Sequence, residues 1–488
     1  MGMPKLLQLP SLFFLGLASA SGCRVTRRGL SGDLIIRGTV LTSEAALSNT
    51  TVHVHTPSGK IAYVGNGCDS GLRAVDASVI ECGDSIISPG FINTHEHIEY
   101  STVNPLPDIG ERVDHRHDWR VGARGRTLRP APVNGSEIDA TAWGELRHIF
   151  SGTTSVVGGA MVTGLARNLD FISGLEDGLT APAAAWDVFP LDDSTGILRD
   201  GDCNYGSVPI DREMAGRFNR YIAHVGEGVD GEAANEFACL ANMTFDTVPA
   251  ASGGGLSTDI IAPNLALVHA LGLTAANFDM IAARGAKIVW SPRSNVFLYG
   301  KTMNVSYLLE AGITVALGTD WLPSGSATMN REAVCGASVM KESYDMIVEP
   351  KTLWEMMTIN AAMVAGFEDE LGSLEVNKMA DIVVFNSGNK AGSDSHEESG
   401  AFARAVFGVE EEIELVMRGG KILVASDGIK DLTTETCETL TFGETNKTIC
   451  ISDELGSSFE EFEASLQGVY SARLPAIPPH EPTCKPKR

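Results

Sequence analysis

Two histidines one residue apart, His95 and His97, end the apolar run Ile86-Ile87-Ser88-Pro89-Gly90-Phe91-Ile92-Asn93-Thr94. Residues i and i+2 of a strand face the same side. Both imidazoles therefore converge at the strand's C-terminal end, and imidazole nitrogen suits a borderline metal such as zinc. The His-x-His spacing recurs at His53/His55 and His115/His117; with 11 histidines in the chain, spacing alone selects none of the pairs. His53 and His55 lie among short strands and read as structural. His115 and His117 fall in a stretch, Glu111 to Arg120, that crowds His, Arg, Asp and Trp together. It reads either as a solvated charged loop or as a lid, in which Arg116 or Arg120 grips a carboxylate and His115 and Trp119 face a substrate.

Other chemical signatures fail. There is no H-E-x-x-H and no G-x-S-x-G. His97-Ile98-Glu99 matches H-x-E but lacks a P-C-x-x-C partner, and Gly300-Lys301-Thr302 lacks the upstream glycine of a phosphate loop. Gly226-Glu227-Gly228-Val229-Asp230-Gly231 does fit G-x-G-x-x-G after a strand, with Asp246 near the ribose-binding offset. A nucleotide-cofactor oxidoreductase using Gly226–Gly231 is thus a rival expectation, although the motif sits mid-chain and leaves His224 and Glu227 unexplained.

The surrounding elements say where such groups would stand. Residues 33–88 read as short strands between Gly and Pro, and strands return after 373 at Ala380–Phe385 and Leu415–Val424. Between them, β runs (Ser155–Val157, Tyr221–Val225, Lys287–Trp290, Ile313–Leu317) alternate with helical patterns such as Asn277–Arg284 and Val305–Glu310. That alternation predicts a parallel sheet or a closed (β/α) barrel, whose active site lies at the strands' C-terminal ends.

Ser88–His97 resembles the first barrel strand of the amidohydrolase superfamily, nearest its chlorohydrolase and nucleobase-deaminase branch. The remaining motifs follow in the family's order: His224-Val225-Gly226-Glu227, His269, Ser291-Pro292-Arg293-Ser294-Asn295, Leu317-Gly318-Thr319-Asp320, and Gly372–Asp381 returning to the β domain. The resemblance spans roughly 33–425. It implies an α/β fold, a (β/α)8 TIM barrel over 89–372, beside a small β-sandwich built from 21–88 and 373–427. It implies His95, His97, His224 and Asp320 as ligands of one divalent metal, zinc or alternatively iron. Glu227, His269 and Asp320 would be catalytic, and Arg293, Asn295 and Trp321 would reach a small-molecule substrate. Binuclear members commonly bridge two metals with a carbamylated Lys; no Lys occurs between Lys60 and Lys287, so one metal is expected, with a bridging Glu as the alternative. The implied activity is hydrolysis of a non-peptide C–N bond, by deamination or by opening a cyclic amide or amidine. A catalytically silent metal- or ligand-binding barrel is the other rival.

Lys+Arg 37 against Asp+Glu 62 gives a formal net charge of −25, which disfavours nucleic acid and anionic membranes as partners. Met1–Ala20 carries Lys5, an apolar run Leu12–Leu17 and Ala18-Ser19-Ala20, the pattern of a secretory signal. No later stretch is long enough to span a bilayer. A secreted protein is expected, with a periplasmic or lipid-anchored one as the alternative, because Ala20–Cys23 also resembles a lipobox that would acylate Cys23. Residues 428–488 read as an acidic, then Pro-rich tail of low order. Export permits disulfides, Cys68/Cys82 and Cys437/Cys450 being paired by proximity. It also permits glycosylation at Asn49, Asn134, Asn242, Asn304 and Asn446.

Overall fold

The computed structural model describes residues 22–67, 72–133, 136–175, 178–249, 252–388, 397–433 and 436–487. Eight short parallel strands stand in chain order: Phe91–Asn93, Thr153–Val156, Arg167–Asn168, Ala185–Asp187, Tyr221–Val225, Leu265–His269, Lys287–Trp290 and Val315–Leu317. The first three form one arc and the last five another. Ala184 N–H donates to the Leu169 carbonyl (2.8 Å) at one seam. At the other, Glu96 bridges Asp320 in parallel and Asp320 N–H donates to the His95 carbonyl (2.8 Å). The arcs thus close into the expected barrel.

Strand alternation sorts the side chains. Ile92, Ile222, Val268, Val289 and Ala316, from five strands, pack together in the interior. Their neighbours Tyr221, Leu267, Ile288, Trp290 and Val315 join the larger cluster with the surrounding helices. Gly318 permits the last seam, since a Cβ there would stand 2.4 Å from the His95 Cβ.

The β domain is composite, as expected. Ser78–Pro89 pairs in parallel with Leu34–Leu41 and antiparallel with Ile382–Phe385, joining both ends of the chain in one ten-stranded sheet. Its Leu34, Ile36, Val52, Val54, Ile80, Ile382 and Leu415 share one core.

The tail departs from expectation. Glu438–Phe442 and Thr445–Ile449 form a hairpin on the edge of the sheet, followed by helix Phe459–Ser465. Phe442 and Phe459 pack edge-on to Phe150, and Phe459 stacks on Trp143. Apolar residues scattered among acidic ones were enough to dock the segment, and two disulfides, Cys437–Cys450 and Cys335–Cys484, fasten it.

Cys203–Cys239 staples the connection between the fourth and fifth barrel strands to the helix Gly231–Ala241. Cys82 bonds Cys23 rather than Cys68, which lies outside the described residues. Strand Arg24–Arg27 pairs with Ser78–Pro89 and brings Cys23 beside Cys82, a contact that spacing could not reveal. With its sulfur in that bond, Cys23 offers no thiol for acylation, which corrects the lipobox reading. The signal sequence expected at 1–20 and the sequon at Asn134 lie outside the described residues. Asn49, Asn242 and Asn446 are exposed. Among the described residues no helix is long and apolar enough to cross a membrane.

Candidate metal centre

His95 and His97 sit just beyond the first barrel strand, and the intervening Glu96 points away. The Glu96 carboxylate takes the Asn93 side-chain amide (3.2 Å) and the Thr319 hydroxyl and lies 3.3 Å from His148 Nε2. The alternation read from sequence therefore persists past the strand, pinned at the barrel seam. His224, next to the end of the fifth strand, faces inward like Ile222. One nitrogen from each of His95, His97 and His224 lies within 4.8 Å of the others. Asp320 Oδ1 stands 3.3 Å from His95 Nε2 and 3.6 Å from His97 Nε2.

The outer nitrogens are held. His95 Nδ1 lies 2.8 Å from Ser291 Oγ, and His224 Nδ1 lies 3.3 Å from the Asp187 carbonyl. A carbonyl only accepts, so His224 carries its proton on Nδ1 and turns a lone pair on Nε2 to the site. Both His95 Nε2 and His224 Nε2 are buried without a hydrogen-bond partner. Burial, and then the neighbouring imidazoles, hold both rings well below the ordinary histidine range. Neutral imidazoles with orphaned, convergent lone pairs beside a carboxylate are what a divalent metal needs, and the residues fit one. Trp186, on the fourth strand, lies within 5.1–5.6 Å of all three rings. An indole thus fills the middle-strand side of the cluster.

The proton-handling groups flank this cluster. His269 shares strand parity with Leu265 and Leu267, which face the helices, yet its ring reaches the mouth. His269 and Ala270 are left-handed (φ 67° and 51°), as is Asp320 (φ 61°). Such backbone costs about 1–3 kcal/mol per residue and collects at functional sites. His269 Nε2 lies 3.7 Å from Glu227 and 3.8 Å from Asp320, and its Nδ1 donates to Asn295 Oδ1 (3.0 Å). Tyr299 OH donates to Glu227 Oε1 (2.6 Å), and Trp119 Nε1 donates to Tyr299 (3.1 Å). Burial works to raise Glu227, but His269, Arg116 and the Tyr299 bond hold it below the usual carboxylate range. Burial pushes Asp320 up.

A cavity of about 380 Å3 opens over these groups, lined by His97, His224, Glu227, His269 and Asp320 at its base and by Trp119, Trp321, Tyr100 and Phe189 above. Trp119 stacks on Trp321 (ring centroids 4.8 Å apart), and both line the cavity. Three other expected contacts lie outside the lining. His115 is buried, caps the helix Arg116–Val121 and pairs with Glu236 (3.1 Å). Arg293 is buried under the tail, bonded to Ser326 and the Pro482 carbonyl. Asn295 positions His269 from behind and donates to Thr302. Each sits where a strand-end loop predicts contact, but turns toward the protein.

Arg116 and Arg120 do line the cavity, with Arg129, Phe189 and Tyr100, which no sequence signal marked. Gly226–Gly231 is no phosphate cradle. Gly226 N–H is taken by Glu236, Val229 N–H by the Asp114 carbonyl, and a Cβ on Gly228 would stand 2.5 Å from that same oxygen. Asp246 accepts from the Val248, Leu256 and Cys203 amides instead of facing a ribose. The second His-x-His cluster is a buried ion-pair network: Arg116 and His117 bond Asp193, and His115 bonds Glu236. His53 pairs with Asp33, a structural role as read.

Comparison with known proteins agrees with this geometry. An amidohydrolase family model matches residues 232–423. A 5-methylthioadenosine/S-adenosylhomocysteine deaminase of Moorella thermoacetica is 22% identical over 83% of this chain and 94% of its own. An imidazolonepropionase of Geobacillus thermodenitrificans is 25% identical over 72% and 84%. Among solved structures, an atrazine chlorohydrolase from Arthrobacter aurescens complexed with zinc superposes with a TM-score of 0.58 at 20% identity, covering 80% of this chain and 95% of that one. An adenosine deaminase from Xanthomonas campestris with bound zinc gives 0.54 at 20% identity over 80% and 92%. The ordered motifs, the closed barrel, the convergent His/Asp cluster and these matches all support membership of the amidohydrolase superfamily.

Proposed function

We propose that the protein is a metal-dependent hydrolase that breaks a non-peptide C–N bond of a small, planar molecule, by hydrolytic deamination of an aminated ring or by opening a cyclic amide or amidine. The observation that carries this reading is the meeting of three inward-facing imidazoles, Asp320, His269 and Glu227 at the base of one aromatic-walled cavity. His95, His97, His224 and Asp320 would hold one zinc or iron ion. Such an ion lowers the pKa of water from 15.7 toward about 7, making a nucleophile available at neutral pH.

The chain's own groups supply the rest. Asp320 accepts a proton at Oδ2, the oxygen that faces His269. Glu227 is ionised at neutral pH and is fixed by Tyr299 through Oε1, leaving Oε2 to carry a proton to a ring or leaving-group nitrogen. His269, with Nδ1–H committed to Asn295, presents Nε2 to a substrate oxygen or nitrogen. Stacked Trp119 and Trp321 offer a flat face to a ring. The name of the deaminase relative agrees with an aminated ring as substrate. We further propose that the protein is exported, with 1–20 as its signal; the four disulfides support an oxidising destination.

The test is metal analysis followed by an ammonia-release screen over aminated heteroaromatics and cyclic amides. About one zinc or iron per chain is expected, and His97→Ala should lose it; full retention in that variant overturns the reading. Metal occupancy without turnover of any compound would favour the silent barrel.

A further inference from the structure

The cavity wall carries three guanidiniums, those of Arg116, Arg120 and Arg129, in a protein with net charge −25. Arg116 is neutralised by Asp193 (2.6 Å) and Glu236 (3.4 Å). The other two are not. Arg120 contacts His117 Nδ1 at 2.9 Å, the Ser194 carbonyl at 3.1 Å and the face of Phe189 at 4.3 Å, with Glu227 and Asp193 nearby but unpaired with it. Arg129 is buried and donates to the Glu111 carbonyl (2.9 Å), while its Nε and Nη1 are buried with no partner. Among the described residues no carboxylate pairs with either. A buried guanidinium without a direct ion-pair partner is costly, and its planar fork matches an oxyanion. Both are anchored to the aromatic wall: Arg129 N–H donates to the Trp119 carbonyl (2.9 Å), and Arg120 follows Trp119 directly in the chain. Glu99 also lines the cavity, and its Oε2 is buried without a hydrogen-bond partner.

From this arrangement, and resting on the hydrolase reading above, we infer that the substrate is an anion: a ring stacked on Trp119/Trp321, its scissile C–N bond at the His/Asp cluster and a carboxylate or phosphate held by Arg120 and Arg129. A neutral heterocycle would leave both cations unmatched.

The test is calorimetry on the full-length, zinc-loaded protein with benzoate, phenyl phosphate and the neutral benzamide. One or both anions should bind about tenfold or more tightly than benzamide. Arg120→Gln/Arg129→Gln should remove that preference, and Arg129→Lys should keep part of it. Benzoate against phenyl phosphate separates a carboxylate from a phosphate. Equal binding of anions and benzamide overturns the inference. So does a preference that survives in the double variant, since the anion would then sit on the metal. Arg120→Gln alone, at a half-buried position, carries the same test if the double variant does not fold. Ammonia release is read separately, so failure of the anion preference is distinguishable from failure of the hydrolase reading.

Discussion

Severing the Cys335–Cys484 disulfide with Cys335→Ser/Cys484→Ser tests how the C-terminal segment is held. The bond joins helix Met329–Tyr344 to the chain end across 149 residues. Closing a loop that long removes about 5 kcal/mol of unfolded-state entropy at 25 °C, comparable to the whole stability of many domains. The segment has other anchors. Arg293 donates to the Pro482 carbonyl (2.5 Å), Arg331 pairs with Glu481 (2.6 Å), and Trp143 donates to the Tyr470 carbonyl (2.6 Å). These keep the tail docked in the native state, so the loss falls on the unfolded side. Urea unfolding without reductant should show a midpoint well below that of the unaltered protein. Metal content should be unchanged, because no tail residue is among the proposed ligands. A midpoint shift worth less than about 1 kcal/mol would refute the loop-entropy account. Loss of metal together with stability would show that the tail shapes the site directly.

Three further outcomes are expected. Glu227→Gln should slow turnover roughly 10²–10⁴-fold with metal retained, checked by paired activity and metal assays, because it removes proton transfer and leaves the cluster intact. Asn295→Leu should leave metal bound while raising the hydrolytic barrier, since His269 Nδ1 loses its acceptor; equal kcat and KM in both proteins would refute that role for Asn295. Burial pushes Glu145 up to about 8. A carboxyl raised on folding gives stability that is complete below its unfolded pKa near 4.5 and is lost as pH rises through 8. Urea midpoints should fall between pH 6 and 8.5, and Glu145→Gln should flatten that slope.

How far the site could be read from sequence varied with how local its geometry is. His95 and His97 were legible because alternation alone puts them on one side of a strand end, and His224 with Glu227 stand at the end of the fifth strand. Asp320 and His269 followed from their order in the family series, yet their aim depends on left-handed backbone that no pattern announces. Arg293 and Asn295 were placed on the correct loop and given the wrong direction, because a tail 189 residues away and the ring of His269 claim their polar atoms. His115 was misread for a similar reason: Glu236, on the helix after the fifth strand, draws it inward. Arg129 carried no motif, and only docking against Trp119 brings it to the cavity.

The sequence by itself determined the strand–helix alternation, the composite β domain and the residue types able to bind a metal, because periodicity and strand parity act over a few residues. Tertiary structure decided which carboxylate meets which arginine, which cysteines join, that the acidic tail adds strands to the sheet, and which loop side chains face the cavity. Those outcomes depend on pairings between residues far apart in the chain, where burial leaves each polar group only the partners that the closed barrel brings within reach.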